Sequence, residues 1–65
     1  MKILSFLEFV EEFTTSMKQS QRVVSVVIVG GHCFVYDFPE NAEIALIEIM
    51  KIFGEEATLW HGMRL

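Results

Sequence analysis

The chain has 65 residues, of which 52% are apolar, and nine carboxylates outnumber five lysines and arginines. One domain, residues 1–65, is expected, because a chain of this length cannot form two cores. The net charge of −4 opposes nonspecific binding to nucleic acid or anionic membranes, since both need clustered cations. Cys33 is the only cysteine, so the chain must gain stability by another route than an internal disulfide.

The N-terminal segment predicts a helix from Ile3 to Met17, because apolar residues recur there at spacings of three and four. Glu8 and two further glutamates interrupt what would otherwise resemble a signal peptide. No apolar run reaches the roughly 18 residues of a membrane span. We therefore expect a cytoplasmic protein with no membrane contact. The apolar arc of the predicted helix holds Ile3, Phe6, Leu7, Val10, Phe13 and Met17.

A predicted hairpin follows. Residues Arg22 to Val29 indicate a first strand, and only Ser25 interrupts the apolar run from Val23. The Gly30-Gly31 pair favours a type I′ turn into a second strand from His32 to Phe38. The expected register pairs Val29 with His32, Ile28 with Cys33, Val27 with Phe34, Val26 with Val35, Ser25 with Tyr36 and Val24 with Asp37.

The last third of the chain predicts a helix and a short strand. Asn41 is the expected N-cap of a helix from about Ala42 to Phe53, and Gly54 is the glycine expected just after the end of that helix. The apolar arc of this helix covers more than half of its circumference, so we expect burial on more than one side. The strand is predicted from Ala57 to His61, with residues 62–65 as a tail.

The element order predicts an α+β fold, a single small αββαβ domain. The second helix connects the second and third strands, which are then parallel and joined by a right-handed crossover. The most apolar strand belongs in the centre, which gives a three-stranded sheet of order 3-1-2. Both helices are expected to pack on one face of the sheet, and the alternative places them on opposite faces.

The predicted register separates two sheet faces. The aliphatic face, expected beneath the helices, holds Val24, Val26, Ile28, Cys33, Val35, Ala57 and Leu59. The other face is larger and richer in aromatic residues with polar tips, which interface cores favour. It holds Val23, Ser25, Val27, Val29, His32, Phe34, Tyr36, Phe38, Thr58 and Trp60. We expect the partner-binding residues there, namely Val27, Val29, His32, Phe34, Tyr36 and Trp60, although helix 1 or the tail is an alternative cover.

The sequence predicts no catalytic, cofactor-binding or metal-binding residue. His32 and Cys33 are adjacent in a strand, so their side chains point to opposite faces and cannot form a nucleophile–base pair. Cys33 is expected to be a small buried residue, and His61 a polar residue at a strand edge. The Gly30-Gly31 pair lies between strands and not before a helix, which is typical of a turn and not of a phosphate site.

We therefore predict a non-enzymatic protein–protein interaction module that binds itself, another protein, or both. Small αββαβ proteins occur among phage-encoded proteins that inhibit a host protein, and this analogy of fold suggests a regulator or inhibitor. The alternative is a small-ligand or single-stranded nucleic-acid binder that uses the aromatic sheet face. The scattered basic residues argue against nucleic acid.

Overall fold

The computed structural model describes residues 2–14 and 23–64. The elements of the described residues are five strands and two helices. They are β1 (Lys2–Ser5), α1 (Phe6–Glu12), β2 (Phe13–Thr14), β3 (Val24–Val29), β4 (His32–Tyr36), α2 (Pro39–Phe53) and β5 (Thr58–Arg64).

The sheet is antiparallel between all neighbouring strands. Four strands form the ladder β1-β4-β3-β5, and the two-residue β2 extends it beyond β5. The predicted central position of β3, antiparallel to both β4 and β5, is confirmed. The predicted three-stranded sheet of order 3-1-2 is wrong, because the N-terminal region supplies two further strands within the segment predicted to be helical.

The hairpin has the predicted geometry. Gly30 and Gly31 adopt φ values of 53° and 78°, the left-handed conformations that a type I′ turn requires. The predicted pairs from Val29–His32 to Ser25–Tyr36 are all present. The second strand ends earlier than predicted, because residues 37 and 38 form a bend after β4.

The first helix is shorter than predicted. It begins at Phe6 because Ser5 caps it: the Ser5 hydroxyl accepts from the Glu8 N–H at 3.2 Å, and the Ser5 N–H donates to Glu8 Oε1 at 3.3 Å. This capping box satisfies two of the amide groups that a helix start leaves unpaired. Residues 2–5 are consequently free to pair with β4 as an edge strand. The predicted helix end at Met17 lies outside the described residues.

The second helix begins earlier than predicted. Pro39 occupies its first turn, where a missing N–H costs no hydrogen bond, and Phe38 precedes it without a side-chain cap. The predicted N-cap role of Asn41 is therefore wrong. The predicted end is confirmed, since Gly54 takes a left-handed conformation with φ 68° and donates its N–H to the Met50 carbonyl.

The two helices lie on opposite faces of the sheet, which corrects the expectation of one shared face. Phe9 of α1 packs in a cluster with Val26 and Cys33, whereas Ala42 of α2 packs with Val27. Residues 26 and 27 are neighbours in β3, so they point to opposite sides.

Topology explains this arrangement. Because neighbouring strands alternate in direction, β1 is parallel to β2 and β4 is parallel to β5. The connections through α1 and α2 both cross the sheet in the same lateral direction, but between strands that run in opposite directions. Right-handed connections are strongly favoured, and two such right-handed crossovers must then lie on opposite faces. A prediction that lacked β1 and β2 could not include this constraint.

Candidate interaction surface

Five of the six residues predicted to bind a partner lie on the sheet face that α2 covers, namely Val27, Val29, His32, Phe34 and Tyr36. Val27 and Val29 are 0% and 2% exposed. Phe34 and Tyr36 are half-buried against the same cluster. Helix α2 therefore occupies the face on which a second molecule is expected from the sequence, and intramolecular cover is the arrangement that the structure describes.

Of the six predicted residues, His32 lies at the margin of the α2 face, and Trp60 alone lies on the opposite face. His32 is exposed at the start of β4, and its ring centroid lies 6.0 Å from that of Phe53. Trp60 lies opposite Val26, on the α1 face, where its ring meets Phe9 edge-on at 4.8 Å. The expectation that Trp60 shares a face with Val27 is wrong. The register of β5 against β3 differs by one residue from the predicted register, so Trp60 pairs with Val26 and Leu59 pairs with Val27.

Exposed apolar surface is instead found on the outward side of α2. Ile44, Ile47 and Ile52 are 70%, 59% and 77% exposed, although Ala42 and Ile49 of the same helix are buried against the sheet. The sequence contains the signal for this surface, since the apolar arc of the helix is too wide for one buried side. The sheet covers one side of that arc and leaves the rest in solvent.

Four exposed residues form a straight line along this outward side. Glu40, Ile44, Ile47 and Lys51 follow one another at spacings of four, three and four, which places them on one face of a helix. We call these four residues the outer stripe of α2. Its centre is apolar, and its two ends carry opposite charges. The acidic end lies in the first turn and the basic end in the last, where each charge is favourable to the helix dipole.

A smaller apolar arc lies on α1. Phe6, Leu7 and Val10 are 53%, 69% and 54% exposed, whereas Phe9 of the same helix is 7% exposed. Ile3 of β1 is also exposed, at 57%, but it opposes Phe34 and so belongs to the α2 side of the sheet.

The pair of Ser25 and His61 is the one arrangement among the described residues that resembles a nucleophile and its base. Ser25 Oγ lies 2.7 Å from His61 Nδ1 across the β3–β5 ladder. The Ser25 side chain is completely buried, so its hydroxyl is not accessible to a substrate. Cys33 is also fully buried, as predicted, and burial raises the pKa of its thiol.

The described residues contain no group of three or more histidine, cysteine or acidic side chains that could hold a metal ion. A cleft of about 390 Å³ opens at one end of the sheet, and its walls carry charges of both signs. It is lined by Lys2, Val35, Tyr36, Asp37, Phe38, Asn41 and Arg64. This mixed lining favours no particular class of ligand.

Neither helix of the described structure is both long and apolar enough to cross a membrane. Comparisons with protein-family models, curated proteins and solved structures give no significant match to this chain.

Proposed function

We propose that the protein is a non-enzymatic protein-interaction module that buries the outward side of α2 against another protein chain. The observation that carries this proposal is the exposure of Ile44 and Ile47 at the centre of the outer stripe of α2. A helix whose outer face is only solvated gains nothing from large apolar side chains there. Burial of one such side chain in an interface contributes about 1.5–3 kcal/mol.

The arrangement of the sheet supports the same surface. Both sheet faces are packed against a helix of the same chain, through the clusters around Val26 and Val27. The surface available to a partner therefore lies on the helices and at the sheet edges. Among these, α2 offers the longer face, since it has 15 residues against seven in α1.

A paired substitution tests the proposal. Replacing Ile44 and Ile47 together with glutamine keeps good helix formers in α2 and removes the apolar centre of the outer stripe. The matched control replaces Leu7 and Val10 of α1 with glutamine, because these residues are exposed to a similar degree on the opposite side of the sheet.

The measurement is the binding of protein partners, a second copy of the chain included, by sedimentation velocity and by quantitative affinity capture. We expect the Ile44→Gln/Ile47→Gln variant to lose an association that the wild type and the Leu7→Gln/Val10→Gln control retain. Circular dichroism must show that both variants fold. A wild type that binds no protein, or binding that the α2 variant retains in full, contradicts the proposal.

A further inference from the structure

From the outer stripe of α2 we infer that the partner is a second copy of this chain, packed antiparallel, helix to helix, about a two-fold axis. This inference rests on the proposed function, because it names the chain that covers the outward side of α2. It depends on the order of the four residues in the stripe: an acid, two isoleucines and a base.

The stripe is complementary to itself only in the antiparallel direction. The midpoint between Ile44 and Ile47 is also the midpoint between Glu40 and Lys51. When two copies cross at this midpoint, Ile44 of each packs against Ile47 of the other. Glu40 of each then faces Lys51 of the other, which gives two ion pairs and an apolar centre in one register. In a parallel pair, Glu40 would face Glu40 and Lys51 would face Lys51, which is repulsive.

The flanking residues are compatible with the same register. A two-fold axis perpendicular to the helices keeps each side of the stripe facing the same side of the partner. Glu48 therefore lies beside Asn41 of the second copy, whose amide can donate a hydrogen bond. Glu43 lies beside Met50 of the second copy. The flanks thus bring no two carboxylates together.

The spacing of the stripe matches the seam of an antiparallel coiled coil. Positions separated by four, three and four residues are the positions that such seams use, and they keep two helices in contact over their length. With 15 residues, α2 provides about 22 Å of contact. An interface one helix wide falls at the small end of specific interfaces, below about 1,200 Å² in total, where association is weak and reversible. We therefore expect the dissociation constant of the dimer to be micromolar or higher.

Charge reversal tests the inference. Glu40→Lys and Lys51→Glu each convert two attractive contacts of the dimer into two repulsive ones, and each should weaken self-association roughly tenfold. An equimolar mixture of the two variants should recover it, because one chain then has lysine at both ends of its stripe and the other has glutamate at both ends. Any cost of the changed charges to α2 itself is the same in the mixture as in the separate variants, so recovery reports the contact between chains.

The matched control is Glu11→Lys on α1, which changes the net charge by the same amount and sign as Glu40→Lys, but on the other side of the sheet. Sedimentation equilibrium of the wild type, the three variants and the mixture gives the dissociation constants. Weakening by both reversals, recovery in the mixture and an unchanged control support the inference. A dimer that is insensitive to both reversals, or that the mixture does not restore, overturns the antiparallel contact and leaves the proposed function standing. A wild type that is monomeric at all concentrations overturns the second copy as partner, and the capture experiment with Ile44→Gln/Ile47→Gln then decides the proposed function separately.

Discussion

The hydroxyl oxygen of Ser25 lies 2.7 Å from Nδ1 of His61, and this contact joins a completely buried residue of β3 to an exposed residue of β5. The two residues are directly opposed in the ladder, so the hydrogen bond forms without distortion of either strand. Ser25 is the only buried residue of the described core with a polar side chain, and this hydrogen bond gives its hydroxyl a partner.

Removal of either side of this hydrogen bond should destabilise the fold, but to different degrees. Ser25→Ala removes the buried polar group together with the bond, and we expect a loss of about 1 kcal/mol in the free energy of unfolding. His61→Ala leaves the buried hydroxyl without its protein partner, and we expect a loss of about 1–3 kcal/mol. Urea denaturation measures both. Thr58→Ala, an exposed change in the same strand, is the control, and a Ser25→Ala loss that exceeds the His61→Ala loss contradicts this ordering.

Two phenylalanines of α1 differ in burial and should differ in their effect on stability. Phe9 is 7% exposed and its ring meets Trp60 at 4.8 Å, whereas Phe6 is 53% exposed. Phe9→Leu loses an aromatic contact and the fit of the core, and we expect it to lower the free energy of unfolding by about 1–2 kcal/mol. Phe6→Leu should change it by less than about 0.5 kcal/mol.

The fluorescence of Trp60, the only tryptophan of the chain, gives an independent measurement of the same difference. Phe9→Leu should shift its emission to longer wavelength, because the indole ring becomes more accessible to water, and Phe6→Leu should leave it unchanged. Equal effects of the two substitutions on stability and emission would show that α1 does not pack on this sheet face through Phe9.

The hairpin could be predicted from the sequence to the level of residue pairs because its turn is local. The Gly30-Gly31 pair determines the turn type, and the turn type determines which residues of β3 and β4 are opposed. The register of β5 depends instead on a crossover of more than 20 residues, which no short motif specifies. A shift of one residue there moved Trp60 and Leu59 to the opposite faces from those predicted.

The start of α1 was predictable from a signal that the helical periodicity concealed. Ile3 and Leu4 continue the helical spacing, but Ser5 and Glu8 form the S-x-x-E pattern of a capping box, which marks a helix start after Ser5. The residues before the cap are then available for a strand. With β2, that strand makes a second crossover connection, and the two crossovers place the helices on opposite faces of the sheet. A sequence prediction without the Ser5 cap therefore leaves one sheet face uncovered and places the partner surface there.

The partner surface itself was predicted on the sheet and lies, in our proposal, on α2. The sequence does carry its main feature, since the apolar arc of the second helix is wider than one buried side requires. What the sequence does not give is which part of that arc faces the sheet. Only the packing of Ala42 and Ile49 against β3 leaves Ile44 and Ile47 outside.

The stability of the fold should fall at alkaline pH. Burial raises the pKa of the Cys33 thiol and of the Tyr36 hydroxyl, because desolvation disfavours the charged forms. Over the pH range between the ordinary pKa of each group and its raised pKa in the fold, the unfolded chain releases the proton and the folded chain retains it. The free energy of unfolding therefore decreases as the pH rises through that range. Below the ordinary pKa values both states are protonated, and the two groups do not lower the stability.

Urea midpoints measured from neutral to alkaline pH test this dependence. Tyr36→Phe removes one of the two groups with little change of shape, so its stability should decline less steeply with pH than that of the wild type. Cys33→Ala lowers stability at every pH because it opens a small cavity, but its slope should also be shallower. If the stability of both variants declines as steeply with pH as that of the wild type, Cys33 and Tyr36 do not cause the pH dependence.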